Sequence, residues 1–94
     1  MASTFEVAYI NEQNNDLVII IVQPHLATRP ADEINSVVTA LQGAAAANGL
    51  YGTVLLVWKH GHNVGFIAPP QWHTFLKNID WNFVKFNVNK KITV

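Results

Sequence analysis

Apolar residues along this chain fall into short blocks with two different spacings. Phe5, Val7 and Tyr9 alternate with Glu6 and Ala8, the spacing of a half-buried strand. NEQNND (11–16) is a cluster of turn formers. Leu17 to Val22 then run without a polar break, which predicts a strand covered on both faces. Pro24 ends that strand. Thr28-Arg29-Pro30 reads as a helix start, with Thr28 as a possible cap and Asp32 and Glu33 where the helix dipole favours anions. Ile34, Val37, Val38, Leu41 and Ala45 keep helical spacing, and Asn48-Gly49 is a stop. Thr53 to Trp58 is a second almost wholly apolar strand. KHGHN (59–63) and then Val64 to Ala68 complete a hairpin with glycine in its turn. After Pro69-Pro70, Gln71 to Asn78 predicts a short helix with Trp72, Phe75, Leu76 and Ile79 on one face. Val84, Phe86 and Val88 alternate with Lys85 and Asn87 and read as a strand. Asn89-Lys90 turns the chain toward a short closing strand, 91–94.

The predicted order is β-β-α-β-β-α-β, with one further short strand. This is a single small α+β domain over residues 1–94, with a mostly antiparallel sheet and two helices. Without its first strand the order is that of a ferredoxin-like core. There both helices lie on one face of the sheet. Strands 17–22 and 54–58 are apolar on both faces, so the second face needs a cover. The expected cover is a second copy of the chain, giving a homodimer through the sheet surface.

The N-terminal hairpin, the helix over 30–47, the aliphatic strand after it and the segment VGFIAPPQWHTFLKNIDW resemble the STAS domains of anti-sigma-factor antagonists. That resemblance implies a STAS-like α/β sheet as the alternative architecture. The phosphorylatable serine of that family would fall in KHGHN, which contains no serine or threonine.

Composition sharpens the expectation of a partner. Half of the 94 residues are hydrophobic and only 13% are charged, against roughly 25% in ordinary domains. A small domain with so few charges is expected to expose an apolar patch that meets a partner or ligand. Six acids balance six bases, without the basic excess of a nucleic-acid binder. The absence of cysteine excludes disulfides and thiolate metal sites. MASTFEVAYINEQ lacks the pattern of a signal peptide, and no apolar run approaches the ~20 residues that span a bilayer. A cytoplasmic protein with no nucleic-acid or membrane partner is expected, and no cofactor is implied.

Four histidines carry the candidate chemistry. On an extended strand His60 and His62 would point to one side and converge on an ion, with His25 or His73 as third ligand and Asp80 or Glu33 as a carboxylate. Against this, Gly61 suits a positive φ in a turn, and turns are polar because they face water. His25 and Arg29 follow the end of a central strand, a common place for ligand loops, and Arg29 is the single arginine. Trp58 and Trp72 read as core, with Trp72 also a candidate pocket residue. Trp81, at a helix-to-strand joint, is the tryptophan expected to face a partner. The candidate ligand-binding residues are therefore His25, Arg29, His60, His62, Trp72 and His73. The favoured function is a small homo-oligomeric binding or interaction module for a small ligand or a protein. The alternative is a small His-dependent enzyme or metal-binding protein.

Overall fold

The computed structural model describes residues 4–93. Its strands are β1 (Thr4–Glu12), β2 (Asn15–Ile21), β3 (Thr53–His60), β4 (Asn63–Ile67) and β5 (Lys90–Thr93), and its helices are α1 (Ala31–Ala47), α2 (His73–Lys77) and α3 (Trp81–Asn87). Single turns of 3-10 helix, Pro24–Thr28 and Pro70–Trp72, precede α1 and α2. The five strands form one sheet in the order β4-β3-β2-β1-β5. Only β2 and β3 run parallel, and every other neighbouring pair is antiparallel. The result is a small α+β domain with a mostly antiparallel sheet.

Local signals explain most of these elements. The β1–β2 turn is tighter than the NEQNND cluster suggested. Gln13 and Asn14 alone form it, both at positive φ (52° and 64°), the pattern of a type I′ hairpin. The α1 stop works as read. The Gly49 N–H (φ 78°) donates to Ala46 O and the Leu50 N–H to Ala45 O, a Schellman closure that sends Leu50 into the core. The α1 start differs, because Thr28 does not cap it. Its hydroxyl donates to the His25 carbonyl at 2.7 Å, closing the preceding 3-10 turn, and Pro30 occupies the cap position.

The segment 81–87 is the main correction. Alternation of Val84, Phe86 and Val88 predicted a strand, but the chain forms α3. Asp80 accepts a hydrogen bond from the Phe83 N–H at 2.8 Å, an N-cap that starts the helix. Trp81 and Val84, three apart on the helix, face the sheet, while Phe86 is 89% exposed. The closing strand β5 follows and pairs with β1 from Thr4 to Val7. Asn89 extends that ladder with its side chain, which accepts from the Tyr9 N–H and donates to the Tyr9 carbonyl. Val94, the last residue expected in that strand, lies outside the described residues.

With α3 in place, the helices divide between the faces. Val18, Ile20, Val22, Val54 and Leu56 pack with Leu41 and Ala45 of α1. Leu17, Ile19, Leu55 and Val57 pack with Trp72, Leu76 and Val84 from the other side. The two-sided apolarity of β2 and β3 is thus satisfied within one chain. Neither the ferredoxin-like core nor its one-sided helix layer is formed. The physical reason is the position of β4. It ends the hairpin at one edge of the sheet, so the chain must cross a face to reach the far edge as β5, and it crosses the face that α1 leaves open. A second copy is therefore not needed to cover a bare sheet face. With a single parallel strand pair, the STAS-like α/β alternative gains no support.

Candidate functional site

The parallel pair β2–β3 gives the sheet one end with the character of an α/β protein. At its carboxyl end β2 leaves the sheet through Gln23 and Pro24 toward α1, whereas β3 turns into β4 within the sheet, and the start of α3 docks back against that turn. At that end lies a cleft of about 490 Å3, within the size range of small-ligand sites. Its apolar wall is Phe5, Ile21, Val22, Pro24 and Trp81, and its polar groups are Thr4, Glu6, Gln23 and Lys59.

The register places these residues together. Val7 pairs with Ile20, so Thr4 to Glu6 lie beside the strand exit at Ile21 to Gln23. The Val22 N–H donates to the Val57 carbonyl at 2.9 Å, which holds the exit of β2 against β3 and brings Lys59 to the rim. Trp81 opens α3, and its N–H donates to the His62 carbonyl at 3.1 Å. The KHGHN turn is thereby a docking post for α3. Glu6 is held by Lys85 of α3, with Nζ 3.2 Å from Oε2. Lys59 enters no ion pair among the described residues. The cleft is thus lined by one ammonium group without an ion-pair partner among the described residues, Lys59, and by one carboxylate paired at the surface, Glu6. A recess of about 130 Å3 adjoins the cleft, sharing Lys59 and Trp81 and adding His62 and Asp80.

The histidines do not assemble. His25 sits exposed in the 3-10 turn after β2. His60 is the last residue of β3 and pairs with Asn63, so the strand stops before His62. His62 is in the two-residue turn, and the same-side geometry of an extended strand does not apply to the pair. Gly61 has φ 64° and His62 does not share the positive φ, the pattern of a type II′ turn. His73 opens α2, where its Nε2–H donates to the Ala68 carbonyl at 2.8 Å and its ring lies 5.1 Å from Phe66. Among the described residues no three His, Asp or Glu side chains are placed to share a metal ion. Arg29 contacts Glu33 one turn along at 4.0 Å, both exposed. Trp72 is 3% exposed, edge-on to Phe75, and its indole N–H has no partner among the described residues.

Of the residues singled out from sequence, Trp81 lines the cleft, and His62 and Asp80 line its adjoining recess. The sequence reading missed Lys59, Glu6 and Gln23. Lys59 was read only as the polar flank of a turn, and no local signal marks Glu6 or Gln23. No helix among the described residues is long and apolar enough to cross a membrane. Comparisons with protein-family models, with curated proteins and with solved structures found no match.

Proposed function

We propose that the protein is a small homo-oligomeric binding module of the cytoplasm, and that its ligand site is the cleft at the carboxyl ends of β2 and β3. The observation that carries this is one cleft lined by both Trp81 and Lys59, with Phe5, Ile21, Val22 and Pro24 as its apolar residues. Such a site suits a planar apolar body bearing one anionic group. The ring packs on Trp81 and Phe5, and the anion meets Lys59 with Gln23 and Thr4 as hydrogen-bond partners. Glu6, the acid in the lining, is paired with Lys85 of α3. The homo-oligomer part of the proposal rests on the 13% charged fraction, which leaves much of a small surface without charge.

The His-dependent alternative has one observation in its favour, the place of His62 and Asp80 in the adjoining recess. The test separates the two. Thermal unfolding is followed with 2-naphthoate and with its uncharged amide. The binding module predicts saturable stabilisation by the acid, loss of preference over the amide in Lys59→Met, and loss of both responses in Trp81→Ala. Binding that survives Trp81→Ala but vanishes in His62→Ala would move the site to the recess. No stabilisation by either compound would remove support for an aromatic-anion ligand.

A further inference from the structure

The two edges of the sheet are treated differently. β5 is short and carries Lys90 and Lys91, a common way of keeping an edge from pairing. β4 is Asn63-Val64-Gly65-Phe66-Ile67, with no charge and no proline. Its hydrogen-bonding direction follows from the hairpin. The two-residue turn makes His60–Asn63 a hydrogen-bonded pair, and alternation then makes Trp58–Gly65 and Leu56–Ile67 the next two. The intervening pairs, Lys59–Val64 and Val57–Phe66, do not bond across the hairpin. An independent contact agrees: the Val57 carbonyl accepts from Val22 on β2, so it points away from β4. Val64 and Phe66 therefore turn their N–H and C=O groups outward along the open edge. Neither residue takes part in a backbone hydrogen bond of the turns and loops.

We infer that this edge is where two copies of the chain join, β4 against β4, antiparallel about a two-fold axis at Gly65. This rests on the homo-oligomeric reading proposed above and is independent of the cleft. The pattern is self-complementary. With Gly65 opposite Gly65, Val64 of each copy faces Phe66 of the other, and all four outward groups on each strand are satisfied. The central pair is then a non-bonded one, the closer of the two antiparallel spacings, at about 4.5 Å between Cα atoms. Glycine suits that approach. It also has a covered outer surface, because the Trp58 indole already lies where a Gly65 side chain would be. The joined sheet has five strands from each copy, and its two free edges are the lysine-bearing β5 strands. A second copy is the occupant because β4 carries no charge to select a foreign strand, and pairing it with itself closes the unprotected edge of both chains and leaves only the lysine-bearing edges free.

The experiment combines sedimentation with residue-resolved amide exchange over a concentration series. The expected species is about 21 kDa, twice the 10.5 kDa chain. Exchange at Val64 and Phe66 should slow by at least about tenfold as the dimer fills, since it then requires dissociation or opening. Phe66→Pro, which removes one outward N–H, should sediment as a folded monomer. Phe86→Ser on α3 should leave association unchanged. A monomer at every concentration would overturn both this interface and the oligomeric reading. A dimer whose Val64 and Phe66 amides exchange like those of loops, or one abolished by Phe86→Ser, would overturn the interface alone. Because the exchange readout uses the unaltered chain, it decides the matter even if Phe66→Pro fails to fold.

Discussion

A Cβ on Gly65 would collide with the Trp58 indole across the hairpin, whereas a Cβ on Gly61 would meet nothing within 4 Å. Gly61 is constrained instead by its backbone, at φ 64°. Alanine should cost stability at both sites for different reasons. At Gly65 the expected loss is about 1–3 kcal/mol, the range for overpacking. At Gly61 it is about 1–2 kcal/mol, the cost of a left-handed conformation for a residue with a Cβ. Denaturant melts in a Trp58→Leu background separate the two. The smaller side chain should relieve most of the Gly65→Ala penalty and leave the Gly61→Ala penalty unchanged. Equal penalties in both backgrounds would mean that Trp58 is not what constrains Gly65. The sequence made Gly61 legible, because a glycine between two apolar runs is a turn signal. It gave no sign of Gly65, whose constraint depends on the cross-strand register with Trp58.

At the scale of elements, capping decided where pattern reading succeeded and failed. Helix α1 carried an acidic first turn, a continuous apolar stripe and an Asn-Gly stop, and these agreed with one another. Helix α3 carried conflicting signals. Alternation over 84–88 favours a strand, while Asp80 ahead of Trp81 and Val84 favours a helix. The cap and the packing of Trp81 and Val84 on the sheet prevail over a five-residue alternation. Asp80→Ala should therefore destabilise the protein by about 1 kcal/mol, with Asp80→Asn close to wild type. Loss of the cap should also loosen Trp81, so the variant should weaken naphthoate binding more than its stability loss explains. Unchanged stability in Asp80→Ala would mean that α3 is held by packing alone. The cleft was less legible than any helix. Glu6, Gln23, Lys59 and Trp81 come from four separate segments, and only the strand register and the α3 dock bring them together.

At the scale of the molecule, helices on both faces of one sheet account for the two strands that have no polar face. The crossing of residues 68–89 over the face opposite α1 buries Trp72, Leu76 and Val84 and gives β2 and β3 apolar neighbours on both sides. The binding roles proposed above fall at the cleft by the exit of the parallel strands and at the open edge of β4. The cleft is the central functional claim. Its most direct test is a titration of the 15N-labelled protein with 2-naphthoate, followed by amide and indole shifts. The account predicts saturable changes centred on the Trp81 indole N–H and on the amides of Ile21, Gln23 and Lys59. Changes confined to the groove between α1 and β4, around Val38 and Ile67, or no saturable change at all, would contradict it.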